Sequence, residues 1–166
     1  MREELLRMSH TTTNTMWEDN LKVTRPTYET AADLEVEKVV ASQLKAEFGL
    51  DCRKLPVSYR IDWAVFKGKK LVGFMELKAR KVAKNRYPTL ILSLSKLMAG
   101  CELARKTNTI FWLGVKWSDT FGVCRITSPF GNIERGGRTD RNDSADIGPV
   151  AHLPIEDFKE IGAPLS

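Results

Sequence analysis

The sequence predicts one α/β domain in which a central mixed β-sheet is flanked by helices. Its 166 residues are enough for one compact domain and too few for two. The composition, 42% hydrophobic and 28% charged, is typical of a folded protein with an apolar core. Helical and strand-like hydrophobic periods also follow one another in the order α-β-β-β-α-β, with further strands towards the C-terminus.

An N-terminal arm is predicted over residues 1–29, where a threonine-rich stretch and a proline interrupt any helical period. A single domain is predicted over 30–166. Its first helix is expected over 31–48, because Thr30 is a suitable N-cap and Gly49 fits the left-handed position after a helix end.

The clearest strand signal in the domain is a hairpin. Residues 59–66 and 71–78 are rich in aromatic and β-branched side chains, and the glycine-containing segment 67–70 between them is typical of a turn. A shorter strand is expected over 52–57. The later elements are predicted as a helix over 89–106, strands over 109–115 and 120–127, a polar loop over 131–148, a strand over 150–153 and a closing helix over 154–161.

Charge is concentrated in one part of the chain. Residues 53–86 carry eleven basic and two acidic residues, whereas the whole chain has a net charge of +5. A basic surface of this kind favours a polyanion such as nucleic acid. A lysine-rich, solvated sheet edge that discourages aggregation explains the charge equally well at this point.

Several classes of protein are excluded or disfavoured. No apolar run approaches the ~20 residues that span a bilayer, and the N-terminus does not resemble a secretory signal. The three cysteines have no metal-binding spacing, so a structural zinc site is not expected. We therefore expect a cytoplasmic protein with reduced cysteines and no membrane partner.

The two acids of the basic stretch lie in the predicted hairpin. Glu76 and Lys78 share one face of their strand because side chains alternate along it. Asp62 lies on the preceding strand and shares that face if it is directly opposite Glu76. The loop length decides this, since a shift of one residue moves a strand's side chains to the other face.

Two loops are possible for this hairpin. A three-residue loop over 68–70 pairs Phe66 with Val72 and places the two acids opposite each other. A two-residue loop over 68–69 separates them unless a β-bulge intervenes. We expect the three-residue loop, because Gly68 can adopt the backbone conformation that it requires.

Two neighbouring carboxylates repel each other, and a hard divalent cation relieves the repulsion. Such a cation polarises a phosphoryl oxygen and activates a bound water. A nearby lysine can stabilise the charge that develops in the transition state. Asp62, Glu76 and Lys78 therefore indicate phosphodiester hydrolysis with Mg²⁺.

The first predicted helix carries an acid (Glu37), a later strand carries Asp62, and the next strand carries Glu76-Leu77-Lys78. With these elements in this order, residues 30–127 resemble the PD-(D/E)xK nuclease superfamily. The first helix is similar to that of Holliday-junction resolvases and related phage enzymes. The resemblance implies a restriction-endonuclease-like core. One departure is Ile61, which stands where the family name has proline.

The resemblance also implies roles for individual residues. Asp62 and Glu76 would bind Mg²⁺, for which Mn²⁺ can substitute, and the backbone carbonyl of Leu77 would complete the site. Lys78 would act on the water or on the transition state. Glu37 would be a second-metal or water-shell ligand, with Glu35 as the alternative.

Further basic residues are predicted to bind DNA, since phosphate neutralisation provides most of the non-specific affinity. They are Arg80, Lys81, Lys84, Arg86, Lys96, Arg138 and Arg141. A flexible basic loop is the alternative for the first four, and a surface lysine whose stem covers apolar atoms is the alternative for Lys96. Acidic neighbours offset the last two.

The function expected from these observations is that of a Mg²⁺-dependent nuclease acting on DNA in recombination, repair or phage DNA processing. A homodimer is possible by analogy, with the apolar residues of the arm at the contact. The alternative is a DNA-binding or partner-regulating module that keeps the fold without catalysis.

Overall fold

A computed structural model describes residues 30–128, 130–137 and 147–162 of the chain. Contacts divide the chain into two units, Met1–Thr30 and Ala31–Ser166. The predicted arm over 1–29 lies outside the described residues, as do Arg138 and Arg141, so the arm and the roles of these two arginines remain predictions.

The centre of the domain is a six-stranded mixed sheet. Its strands are β1 (Leu50–Lys54), β2 (Trp63–Lys67), β3 (Lys70–Ala79), β5 (Ile110–Lys116), β6 (Phe121–Ile126) and β9 (Lys159–Glu160). Their order across the sheet is β1-β2-β3-β5-β6-β9. The pair β3 and β5 is parallel, and the other neighbouring pairs are antiparallel.

A second sheet has three antiparallel strands, β4 (Thr89–Ser93), β7 (Ile133–Gly137) and β8 (Ile147–Pro154), in the order β4-β8-β7. The prediction of a helix from residue 89 was therefore wrong in its first five residues. Leu90 and Leu92 are buried while Ile91 between them is exposed, and this alternation is typical of a strand with one covered face.

The C-terminal predictions also need correction. The segment predicted as a polar loop contains β7 and the start of β8. The predicted strand at 150–153 is confirmed as part of β8. In place of a closing helix, a 3-10 turn over Ile155–Asp157 leads into β9, because Phe158 is buried between them and the chain returns to pair with β6.

Two helices cover opposite faces of the large sheet. Helix α1 (Ala31–Phe48), as predicted, buries Val40 and Leu44 against Met75 and Leu77 of β3. Helix α2 (Leu94–Thr107) packs on the other face, together with β4 and β8, and its Leu97 belongs to the apolar cluster on that face. In the described part of the chain, neither helix is long and apolar enough to cross a membrane.

The hairpin of β2 and β3 has a two-residue turn, since Lys67 pairs with Lys70 and Phe66 with Leu71. The predicted three-residue loop and the pairing of Phe66 with Val72 were therefore wrong. The register shifts after Phe66, however, and Val65 pairs with Gly73. This β-bulge adds one residue to β3, so the strands leave the turn in the register that places Asp62 opposite Glu76.

Candidate active site

The two carboxylates lie side by side at one end of the hairpin. The last ladder pair is Trp63 with Met75, and Asp62 and Glu76 occupy the next positions along the two strands. Asp62 Oδ2 accepts a hydrogen bond of 2.9 Å from the backbone N–H of Leu77. Since Trp63 and Met75 face α1, alternation directs both carboxylates to the α2 side of the sheet.

Glu76 is completely buried, with 0% of its surface exposed. Its Oε1 lies 2.5 Å from the Nζ atoms of both Lys78 and Lys96. Its Oε2 is buried and has no hydrogen-bond partner in the part of the chain that the structure describes. Burial raises the pKa of Glu76, with a smaller contribution in the same direction from Asp62, although the two ammonium groups oppose the shift.

Lys96 reaches this pair from the first turn of α2. Besides its contact with Glu76, its Nζ lies 4.0 Å from Oδ1 of Asp62. The structure therefore brings together Asp62, Glu76, Lys78 and Lys96, and the reading of Lys96 as only a surface lysine does not hold. A sequence signal existed, because a lysine in the first turn of a helix is disfavoured by the helix dipole, but the predicted helix start at residue 89 concealed it.

Glu37 is not brought to this pair. Both of its carboxylate oxygens accept hydrogen bonds from Lys54 Nζ, at 2.9 and 2.7 Å. Glu37 belongs to α1, which packs on the face opposite Glu76. Glu35, the alternative, lies on the surface 3.7 Å from Lys38. The role of either residue as a ligand stays a prediction.

The donors that can hold a divalent cation are the carboxylates of Asp62 and Glu76, together with the predicted backbone carbonyl of Leu77. They are hard oxygen donors of the kind that Mg²⁺ prefers. The buried Oε2 of Glu76, which lacks a hydrogen-bond partner over residues 30–128, 130–137 and 147–162, fits this assignment, since a buried carboxylate oxygen needs a partner. Within the described residues, no cluster of three or more Asp, Glu, His or Cys side chains could hold a metal.

The predicted DNA contacts differ in their environments. Lys84 is largely buried, and its Nζ donates hydrogen bonds of 3.0 Å to the Phe158 carbonyl and to Glu160. Lys81 and Arg86 are exposed. The guanidinium of Arg80 donates to the carbonyl of Ala79 at 3.0 Å. Lys84 therefore joins two parts of the fold, and the exposed residues are the better candidates for phosphate contact.

Comparison with known structures shows the fold. The chain is similar to Hjc, a Holliday junction resolvase of the archaeal hyperthermophile Archaeoglobus fulgidus, with 15% sequence identity and a TM-score of 0.50 over 76% of this chain and 88% of that one. The restriction-endonuclease-like fold expected from the sequence is thus confirmed.

Comparison with protein families shows the relationship by sequence. The model of the family described as "Phage putative PDDEXK endonuclease" matches residues 23–161. Comparison with curated proteins gives no significant match. The family match spans most of the chain and includes the hairpin with Asp62, Glu76 and Lys78, and the chain therefore belongs to this family of phage PDDEXK endonucleases.

Proposed function

We propose that the protein is a divalent-metal-dependent endonuclease that hydrolyses phosphodiester bonds in DNA. The observation that carries the proposal is the buried Glu76 beside Asp62: among the described residues, none is a hydrogen-bond partner of its Oε2. A buried carboxylate oxygen without a partner is costly even where ammonium groups hold the other oxygen of the same carboxylate. In a family of endonucleases, a divalent metal bound between Asp62 and Glu76 would supply the missing partner.

Asp62, Glu76 and the Leu77 carbonyl would hold Mg²⁺, or Mn²⁺ in its place. When bound, the metal would polarise the phosphate and lower the pKa of a coordinated water. The N–H of Leu77 orients Asp62 for this task through its 2.9 Å hydrogen bond. The ammonium of Lys78, on the same strand face as Glu76, would stabilise the negative charge that accumulates on the phosphoryl oxygens.

DNA binding is supported by the positive charge of residues 53–86, which surrounds the two acids in the sequence. Exposed Lys81 and Arg86 would neutralise phosphates next to the site. Recombination, repair or phage DNA processing is the corresponding biological role. Since the similar structure is that of a Holliday junction resolvase by name, branched DNA belongs among the first substrates to test. A homodimer would allow two strands to be cut, and the assembly is part of this proposal.

The test is incubation of the purified protein with plasmid, single-stranded, flap and four-way-junction DNA, with Mg²⁺, with Mn²⁺ or with EDTA. We expect cleavage with either metal and none with EDTA. Lys78→Ala should abolish cleavage while DNA binding remains. Cleavage that persists in EDTA or in Lys78→Ala would overturn the mechanism, and DNA binding without cleavage under any condition would favour a non-catalytic module.

A further inference from the structure

We propose that Lys96 takes the place of the divalent cation in the metal-free protein, so that metal binding must displace its ammonium group from Glu76. The inference rests on the proposed metal site at Asp62 and Glu76. It assigns Lys96 a role as a positioning residue, which acts through the two carboxylates and sets how tightly the free protein binds metal.

The distances place Lys96 between the two acids. Its Nζ lies 2.5 Å from Oε1 of Glu76 and 4.0 Å from Oδ1 of Asp62. A cation held by both carboxylates has to lie in the same region. An ammonium group and a coordinated metal cannot both lie there, because both are positive and each would lie between the same two carboxylates.

Lys78 is a less suitable candidate for this role, although its Nζ is equally close to Oε1 of Glu76. It follows Glu76 by two residues on the same strand face, so it remains a neighbour of the carboxylate whatever occupies the site. Of these two lysines, only Lys96 reaches Asp62 as well. Lys96 also comes from a different element, α2, and can withdraw without any change in β3.

The charges give a reason for the exchange. Two ammonium groups balance two carboxylates in the metal-free site, which makes the burial of Glu76 tolerable. Binding of a divalent cation would leave the site with two excess positive charges. Of the two ammonium groups, the one with access to solvent is released most easily. The side chain of Lys96 is 32% exposed and has a long flexible stem. It lies, moreover, in the first turn of α2, where the helix dipole disfavours a positive charge.

Two other roles are possible for the same contacts, and each predicts a different result. If Lys96 only stabilises the fold, its removal should lower stability equally with and without metal. If it only holds DNA, its removal should leave metal binding in the absence of DNA unchanged. If it is the internal cation, its removal should tighten metal binding and increase the stabilisation that metal provides.

The experiment is calorimetric titration of the DNA-free protein with Mn²⁺. Lys96→Met should bind Mn²⁺ about tenfold more tightly than wild type, which corresponds to about 1.4 kcal/mol. Lys96→Arg should stay within about threefold of wild type, since it keeps the competing charge. Lys106→Met is the matched control, because Lys106 lies on the same helix in an exposed pair with Glu102 and loses the same charge, and we expect no more than a twofold change for it.

Thermal unfolding gives a second readout that does not depend on cleavage. In EDTA, Lys96→Met should melt below wild type, since Glu76 loses one of its two cations. In saturating Mn²⁺ the difference should shrink, because the metal supplies the missing charge. Unchanged or weaker Mn²⁺ binding in Lys96→Met, or tighter binding in Lys78→Met alone, would overturn the inference and leave the nuclease proposal standing. Absence of Mn²⁺ binding in wild type, or binding that survives Asp62→Asn, would overturn both.

Discussion

Two lysine–glutamate clusters in this protein use the same chemical groups in opposite ways. In the candidate active site, Glu76 is buried and receives the ammonium groups of Lys78 and Lys96. At the edge of the large sheet, Lys84 is the largely buried partner, with its side chain 12% exposed, and the side chain of Glu160 is 56% exposed. The first cluster hides an acid from water, and the second hides a base.

The pKa values follow this difference. Burial raises the pKa of Glu76 in spite of two nearby cations. The hydrogen bond from Lys84 lowers the pKa of Glu160, where there is little burial to oppose it. A buried acid with a raised pKa is typical of a functional site, whereas a buried lysine that reaches a backbone carbonyl and a surface acid joins parts of a fold. Position in a basic stretch therefore does not show that a lysine binds DNA.

The largest effect that separates the clusters should come from their two acids. Glu76→Gln should reduce cleavage by at least about 10²-fold, the order expected when one preorganised electrostatic group is lost. Glu160→Gln should leave the cleavage rate within about twofold, because surface changes of this kind have small effects. Initial rates on plasmid DNA with Mg²⁺ measure both variants. Equal losses in the two variants would show that Glu76 has no greater part in cleavage than Glu160.

A smaller effect should separate two lysines of the basic stretch. Lys84→Met should lower the free energy of unfolding by about 1–3 kcal/mol, since the Phe158 carbonyl loses a charged hydrogen bond. Lys81→Met, at an exposed position, should change it by no more than about 0.5 kcal/mol. Urea denaturation in EDTA measures both values.

The same two variants should differ in the opposite sense in DNA binding. Lys81→Met should reduce the dependence of log affinity on log salt concentration by about one unit, as expected when one phosphate contact is lost. Lys84→Met should leave that slope unchanged. Fluorescence anisotropy in Ca²⁺ over a range of salt concentrations measures this slope. A reduced slope in Lys84→Met would show that Lys84 does contact DNA.

The smallest effects concern pH, and they should have opposite signs in the two clusters. Since folding raises the pKa of Glu76, its contribution to stability is greatest below the ordinary value of 4.5 and is lost as pH rises through the raised pKa. Since folding lowers the pKa of Glu160, its contribution is present above 4.5 and is lost as pH falls through the lowered pKa. Urea denaturation of wild type, Glu76→Gln and Glu160→Gln in EDTA over a pH series measures the two slopes. Slopes of the same sign would show that the two acids lie in similar environments.

The hairpin shows how far sequence reasoning could go. The acids were correctly expected to face each other, but for the wrong reason, because the loop has two residues and a bulge restores the register. Whether a strand accommodates an extra residue depends on its neighbours. Here Gly73 follows the bulge, and a Cβ at this position would lie 2.2 Å from the carbonyl oxygen of Ile110 in β5. That contact depends on a strand almost forty residues away, which no local pattern reveals.

Local patterns were sufficient for what depends on neighbours in the chain: α1 with its capping signals, strand β3 of the hairpin, and the pairing of an Asp with a Glu-x-Lys segment. The strand before β3 was predicted from residue 59, but β2 begins at Trp63, after a 3-10 turn over Val57–Tyr59. Long-range packing was needed for the rest. Strand β4 forms because β8 pairs with it. Lys84 donates a hydrogen bond to Glu160 of β9, and Lys96 reaches Glu76 because α2 packs across β3. Hydrophobic periodicity records which face of an element is covered. It carries no information on which distant element covers that face. Since the covering element determines which side chains meet a buried charge, the partners of buried charges cannot be predicted from the period alone.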